Sequence, residues 1–180
     1  MNKLFAFLFI SALSTGLFST AQAETIAGSG IMYRVIDGDT FDVRIDDDLV
    51  FNRFVAAADG NERRQRYVKE RQRTIRIRLA SIDTPESVHA NSSRNSAAGR
   101  EASKVVKELM DRKPVQFTCF DHGRYGRSIC NIAFNQGGSM TDLGAWLIRN
   151  GYSRYVTAWG RNPYLDTEYR AADSAANGGF

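Results

Sequence analysis

The sequence predicts an α+β fold that is mainly β, with a five-stranded OB-type barrel and three helices. Five short segments alternate apolar and polar residues with the two-residue period of half-buried β-strands. An amphipathic helical pattern lies between the third and fourth of these segments, and two further helical patterns follow the fifth. Five short strands with a helix after the third are the order expected of an OB-type barrel.

Residues 1–23 are predicted to be a signal peptide and no part of that fold. They begin with a short positive segment, continue with a mostly apolar run and end in the small-x-small sequence A-Q-A. We expect cleavage after Ala23 and export, to the periplasm or as a secreted protein. The alternative is an uncleaved membrane anchor, because the apolar run is only a little shorter than the roughly 18 residues of a spanning helix. Residues 24–180 then form a single domain of ordinary globular composition.

The first two strands are predicted to form a hairpin. Residues 31–36 form the first strand, D-G-D at 37–39 is a strong turn signal, and residues 41–45 alternate again as the second strand. Three consecutive aspartates, 46–48, end the second strand. In isolation they indicate a solvated turn rather than a metal site.

The connection 46–73 is long, and its second half is strongly basic. Residues 61–78 hold eight basic and two acidic side chains, a net charge of +6, whereas the whole chain carries +4. Concentrated positive charge is typical of a surface that binds a polyanion. We interpret this basic insertion as either a protruding, solvated helical excursion or a flexible loop, and its charge as either phosphate-binding or merely solubilising.

The third strand leads into the densest group of chemical side chains. Residues 75–79 alternate isoleucine or leucine with arginine, as a half-buried strand does. Two carboxylates, Asp83 and Glu86, follow in a turn that Pro85 keeps from continuing the strand. One short run therefore carries Arg78 on a strand and two carboxylates just after it, which suits the binding of a phosphate together with a hard metal ion.

The three predicted helices follow the third strand and the final hairpin. The first carries one apolar face and stops before Pro114. Ser139 with Asp142 resembles a capping box that opens the second helix, and N-P at 162–163 starts the third. The apolar face of the first helix consists of Ala102, Val105, Val106, Leu109 and Met110.

The two cysteines lie in the strands of the hairpin predicted for residues 115–134. Cys119 and Cys130 could face each other and form a disulfide, which would suit an oxidising compartment. Closing so short a loop would contribute roughly 2–3 kcal/mol. The alternative is two buried free thiols.

Asp39 and Asp83 both follow strands and could converge at one rim of the barrel. Two carboxylates, a backbone carbonyl and waters make an oxygen site for a hard cation, and Ca²⁺ tolerates irregular geometry better than Mg²⁺. Arg78 and Arg127 could hold the oxygens of a phosphodiester in its transition state, and Glu86 could orient or deprotonate the attacking water. Any of these residues alone would more often be a turn residue or a surface ion pair.

Four motifs in the same order resemble the thermonuclease (staphylococcal nuclease) family. They are V-I-D-G-D-T at 35–40, R-L-A-S-I-D-T-P-E at 78–86, G-R-E-A-S at 99–103 and R-Y-G-R at 124–127. The resemblance covers nearly all of residues 24–180. It implies an OB fold and Ca²⁺-dependent hydrolysis of single-stranded and duplex DNA and of RNA.

The resemblance also implies roles for individual residues. Arg124 and Tyr125 match positions that contact a terminal phosphate of the nucleotide. Ca²⁺ is expected at Asp39, Asp83 and the carbonyl of Thr84. Catalysis is expected from Arg78, Glu86 and Arg127.

The sequence departs from the family pattern in three places. The connection 46–73 is longer than the hairpin turn expected there, and the C-terminal helix stops early. One of two tyrosines expected near the base is Thr157, while Trp159 falls near the other. Trp159 could stack on a base or be a half-buried core residue. These departures concern substrate preference and not the chemistry.

The leading hypothesis is an exported, monomeric, Ca²⁺-dependent nuclease that cleaves DNA and RNA with little sequence preference and has no stable protein partner. The alternatives are a nucleic-acid-binding OB module of the cell envelope that does not cleave, and an envelope interaction protein. Glu86 favours the nuclease, because binding a phosphate does not require a carboxylate beside it.

Overall fold

The computed structural model describes residues 24–85 and 96–177, and the predicted signal peptide lies outside them. This part of the chain contains nine strands and five α-helices. The strands are β1 (Ile26–Asp37), β2 (Thr40–Arg44), β3 (Val68–Lys69), β4 (Thr74–Leu79), β5 (Ile82–Asp83), β6 (Pro114–His122), β7 (Ser128–Gln136), β8 (Ser139–Asp142) and β9 (Arg154–Tyr155). The helices are α1 (Asp48–Ala58), α2 (Glu62–Gln65), α3 (Ala97–Met110), α4 (Leu143–Arg149) and α5 (Asp166–Asn177).

Five of the strands close into a barrel. β1 pairs antiparallel with β2 and β6, β2 pairs with β4, and β6 pairs with β7. A parallel pairing of β4 with β7 completes the circle. A closed barrel has no long exposed sheet edge. The mainly β, OB-type prediction is confirmed.

The barrel interior is apolar because each strand alternates inward and outward residues. Ile75, Ile77 and Leu79 of β4 are buried, and Phe41 and Val43 of β2 lie opposite them. Fully burying one such side chain is worth about 1.5–3 kcal/mol. The outward residues of the same strands include the arginines, so hydrophobic burial alone fixes which face of β4 carries its charge.

The insertion 46–73 is ordered and largely helical, and its first helix packs on the barrel, so it is neither a flexible loop nor a protruding excursion that is solvated throughout. The Asp47 side chain caps α1 by accepting from the backbone N–H of Val50. Phe51 and Phe54 of α1 are buried, and the Phe54 ring lies 5.9 Å from that of Phe117 in β6. The prediction missed α1 because the charge of the following residues hid its apolar face. With α1 and α2, the helices number five in the described chain and not three.

Two predicted helix starts are wrong. Ser139 and Asp142 belong to strand β8, and Asp142 itself caps α4 by accepting from the N–H of Ala145 at 2.8 Å. The last helix begins at Asp166, while Asn162 closes the preceding turn by accepting from the N–H groups of Tyr164 and Leu165. In both places a residue with capping chemistry was assigned to the wrong position.

Cys119 of β6 and Cys130 of β7 are direct cross-strand partners with Cα atoms 4.0 Å apart, and a disulfide joins them. The bridge lies at the end of the hairpin that carries the turn 123–127. No helix in the described residues is long and apolar enough to span a bilayer.

Candidate active site

The turn between β1 and β2 places Asp39 inside the structure, where its carboxylate is almost fully buried. Asp39 Oδ2 accepts from the backbone N–H of Thr84 at 3.0 Å and from the Thr84 hydroxyl at 3.1 Å. Gly38 permits this approach, because a Cβ there would overlap the Thr84 side chain. The two segments that were predicted to converge therefore meet directly.

Arg78 joins the carboxylates of Asp39 and Asp83. Its Nη1 donates to Asp39 Oδ1 at 2.8 Å, and its Nη2 donates to Asp83 Oδ1 at 2.6 Å. Nη2 also donates to the carbonyl of Ile82 at 3.2 Å. The Asp39 side chain is 3% exposed, whereas that of Asp83 is 52% exposed. One side of this cluster is thus buried and the other is open to solvent.

Arg127 reaches the same cluster through Thr40. Arg127 Nη1 donates to Thr40 Oγ1 at 3.2 Å, and Thr40 Oγ1 donates to Asp39 Oδ1 at 2.9 Å. The parallel pairing of β4 with β7 brings Arg127 close, because Ile129 of β7 lies opposite Arg78. A continuous chain of polar contacts therefore connects Arg127, Thr40, Asp39, Arg78 and Asp83.

The electrostatics of Asp39 favour a nearby positive charge. Burial raises the pKa of its carboxyl above the usual value, and the negative charge of Asp37 acts in the same direction. The guanidinium of Arg78, the N–H of Thr84 and the hydroxyl of Thr40 lower this pKa in part. A buried carboxylate needs such partners, because ionising it away from water is costly.

The turn 123–127 carries the other arginine and the predicted phosphate contacts. It is closed by hydrogen bonds from the N–H of Gly126 to Gly123 and from the N–H of Gly123 to Arg127. Arg124 and Tyr125 are exposed, and the guanidinium of Arg127 lies 5.9 Å from the centre of the Tyr125 ring. The turn therefore presents two polar side chains to solvent beside Arg127.

Trp159 lies between β9 and α5 and is 75% exposed. The expectation of a half-buried core residue is therefore wrong. β9 pairs with β5, so that Tyr155 lies opposite Ile82 and Arg154 lies opposite Asp83. The segment that carries Trp159 thus begins beside the strand that carries Asp83.

The residues present fit a hard cation. Asp39 and Asp83 already converge on one positive group, and the backbone of Thr84 lies beside Asp39. Carboxylate and carbonyl oxygens are the donors that Ca²⁺ prefers. No group of three or more His, Cys, Asp or Glu side chains in residues 24–85 and 96–177 is placed to hold a metal. Two carboxylates would therefore need the Thr84 carbonyl and water to complete the coordination.

Glu86, the predicted general base, lies outside the described residues. Two residues of the site were not predicted. Thr40 links Arg127 to Asp39, and the D-G-D-T motif could have indicated it. Ser153 accepts from the N–H of Asp83 and donates to its carbonyl, both at 3.2 Å. Nothing in the local sequence around Ser153 marks this contact.

Comparison with known proteins gives one family and two relatives. The model of the family described as staphylococcal nuclease homologue matches residues 76–178. A micrococcal nuclease of Shigella flexneri is 32% identical over 137 residues, which cover 73% of this chain and 60% of the relative. An uncharacterized endonuclease of Escherichia coli O157:H7 is 24% identical over 136 residues, which cover 76% of this chain and 66% of the relative. The chain therefore spans less than two thirds of the length of either relative.

Proposed function

The chain belongs to the family of staphylococcal nuclease homologues, and from this premise we propose that it is a Ca²⁺-dependent nuclease. It hydrolyses phosphodiester bonds of DNA and RNA with little sequence preference and acts as an exported monomer. One observation carries the proposal: Arg78 of β4 and Arg127 of the turn before β7 are joined through Asp39 and Thr40 into one polar cluster that is open to solvent at Asp83.

The arginines stabilise the phosphoryl oxygens. A guanidinium stays charged at any working pH and presents paired N–H donors that match a phosphate. Arg78 reaches the substrate by giving up its bond to Asp83, the more exposed of its two carboxylate partners. Asp39 keeps its bond to Arg78 and, through Thr40, also restrains Arg127. Pre-positioned donors of this kind are worth about 10²- to 10³-fold in kcat each.

Glu86 takes the proton of the attacking water or orients that water. A carboxylate that is not needed for the metal is free for this task. Asp39, Asp83 and the carbonyl of Thr84 would hold the ion. Bound there, Ca²⁺ would supply positive charge for the phosphate and a site for water.

Substrate is positioned at the exposed edge of the cluster. Arg124 and Tyr125 contact a terminal phosphate of the nucleotide, and the exposed ring of Trp159 offers a surface on which a base can stack. Phosphate and ring contacts read little sequence, because every nucleotide offers both. This is consistent with a non-specific nuclease.

The test is hydrolysis of denatured DNA by the purified protein, with Ca²⁺ or with a chelator. We expect cleavage only with Ca²⁺, and a loss of roughly 10²-fold or more in kcat for Arg78→Ala and for Glu86→Gln. Arg149→Ala is the matched control, because Arg149 forms a surface ion pair with Glu168 on α4 and α5. Cleavage that persists in chelator, or is equal in all variants, would contradict the mechanism. DNA binding without any cleavage would favour the non-catalytic binding module.

Export is supported by the disulfide between Cys119 and Cys130, because such bonds persist in oxidising compartments. The mass of the protein recovered outside the cytoplasm should correspond to a chain that begins at Glu24. A full-length mass in a membrane fraction would instead indicate the uncleaved anchor.

A further inference from the structure

Part of the charge in the basic insertion holds the insertion in place. Arg64 Nη1 donates to the carbonyl of Ala57 at 3.0 Å. Arg73 donates to the carbonyls of Ile45 and Asp46 at 3.0 and 3.1 Å and pairs with Asp48 at 2.6 Å. Arg64 therefore ties α2 to α1 within the insertion, and Arg73 ties the end of the insertion to its start beside β2. Both guanidinium groups are thus engaged within the protein.

Other basic residues of the insertion face solvent. Arg63, Arg66, Lys69 and Arg71 are exposed, and none pairs with a carboxylate of residues 24–85 or 96–177. Positive charges held close together on ordered backbone repel one another, and together they attract a polyanion. The charge that could bind a partner is therefore concentrated on α2, β3 and the turn after β3.

This charge lies on the same sheet surface as the active site. β3 and β7 occupy consecutive parts of one edge of β4, since β3 pairs with Thr74 and Ile75 while β7 pairs with residues 77–79. Lys69 lies opposite Thr74, so its side chain shares the outer face with that of Arg78. Arg78 lies four positions along the strand from Thr74, which is about 13 Å.

Helix α2 also contacts the turn that carries the predicted phosphate contacts. Arg63 Nη1 lies 3.5 Å from the carbonyl oxygen of Arg124. Gly126 has a φ of +91° and approaches α2 so closely that a Cβ would overlap the backbone of Arg63 and Arg64. The exposed positive charge of α2 therefore lies directly beside the turn 123–127, which carries the proposed phosphate contacts.

We propose that Arg63, Arg66 and Lys69 form a second phosphate-binding surface, which holds a polynucleotide some nucleotides away from the bond that is cleaved. This rests on the proposed function. A distance of about 13 Å corresponds to about four nucleotides of one strand in duplex DNA, at a rise of about 3.4 Å per nucleotide. The surface favours long substrates over short ones and adds affinity without adding a catalytic group.

The test compares Arg66→Gln/Lys69→Gln with Lys104→Gln/Lys107→Gln on α3. Both double variants remove two exposed positive charges, so they change the net charge of the protein equally. Arg63 is left in place, because it also contacts the turn. Binding of fluorescent single-stranded oligonucleotides of 2 and 12 nucleotides is measured in chelator between 50 and 200 mM salt.

For the 12-nucleotide strand, the Arg66→Gln/Lys69→Gln variant should bind more weakly, with a slope of log affinity against log salt that is lower by about 1.4, or about 0.7 for each contact. Its binding of the dinucleotide should equal that of the wild type. With Ca²⁺, its KM for the long strand should rise while kcat stays unchanged. The α3 variant should match the wild type throughout.

An unchanged slope, or an equal loss in the α3 variant, would overturn the proposal. The proposal would also be overturned if the Arg66→Gln/Lys69→Gln variant lost binding to anionic phospholipid vesicles while its DNA binding stayed intact, because the surface would then contact a membrane. The outcome is separable from the proposed function. If the Arg66→Gln/Lys69→Gln variant has a lower salt slope but the wild type never cleaves, only the nuclease proposal is refuted. If the wild type cleaves normally but the slope of the variant is unchanged, only the second surface is refuted.

Discussion

Asp142 is predicted to make the protein less stable as the pH rises toward neutrality. Its Oδ1 accepts from the N–H of Ala145 at 2.8 Å, which caps α4, and from the hydroxyl of Tyr169 at 2.9 Å. Burial raises the pKa of Asp142 from 3.8 to about 6, although both hydrogen bonds act to lower it. The burial of this carboxyl between α4 and α5 therefore raises its pKa by more than the two hydrogen-bond donors lower it.

The magnitude follows from linkage. A folded-state pKa above the unfolded value means that the folded protein binds the proton more tightly, so stability is fully present below about pH 3.8 and is lost as the pH rises through 6. At about 1.36 kcal/mol for each pKa unit, the loss is about 3 kcal/mol. Asp142→Asn keeps an oxygen acceptor for both donors and cannot ionise. Relative to the wild type, it should gain about 2 kcal/mol between pH 4 and pH 7.5, because part of the loss has already occurred at pH 4, where the unfolded carboxyl is partly ionised.

Urea unfolding at several pH values measures this difference, because the contributions of all other carboxyls are common to both proteins. Tyr169→Phe is the companion variant. It removes a donor that lowers the pKa of Asp142, so the fall in stability should move to higher pH. Curves for Asp142→Asn and the wild type that run parallel from pH 4 to pH 7.5 would refute the argument.

The remaining predictions concern α4 and the link between the two arginines. Gly144→Ala should lower the free energy of unfolding, because a Cβ at this position would overlap the Tyr169 hydroxyl. This overlap should outweigh the preference of about 1 kcal/mol that alanine usually has over glycine in a helix. A rise in the thermal midpoint would contradict this. Thr40→Val should lower kcat about tenfold or more while Thr40→Ser keeps it, because the hydroxyl joins Arg127 to Asp39 by hydrogen bonds to charged groups worth about 1.5–3 kcal/mol. Equal kcat in the valine and serine variants would show that this link has no catalytic role.

The strands of the barrel were predictable because burial on one side leaves a two-residue period in the sequence. Phe41 and Val43, or Ile75 and Ile77, need no partner to be recognised as one face of a strand. The pairing of β4 with β7 leaves no such local trace, since it joins residues about fifty positions apart. The OB-type barrel was predicted from the order of strand and helix patterns along the chain, and the resemblance to a family implied the same fold; neither specified this pairing.

Helix α1 was missed for a different reason. Val50, Phe51, Phe54 and Val55 have helical spacing, yet they adjoin three aspartates and a long basic stretch, and average composition over the insertion hid them. The start of α4 was misassigned because Ser139 and Asp142 can both cap a helix, and only the strand pairing of Ser139 with Gln136 decides between them.

The candidate site was predictable as a set of residues and not as a set of contacts. The motifs named Asp39, Asp83 and Arg78, and the structure brings all three together. One guanidinium bridges both carboxylates, and Thr84 donates to the other oxygen of the buried Asp39 carboxylate; no local pattern encodes either contact.

β3 and β7 pair along the same edge of β4. The insertion, which supplies β3, therefore also covers part of that edge, in addition to any binding. If residues 46–73 were replaced by a tight turn, Thr74, Ile75 and Arg76 would lose the partners that β3 and Tyr67 provide. The barrel would then present a stretch of unpaired backbone beside the uncovered contact surface of Phe51 and Phe54. Such an edge is a template on which another chain can add a strand, so a shortened protein would be prone to aggregate even with its catalytic residues intact.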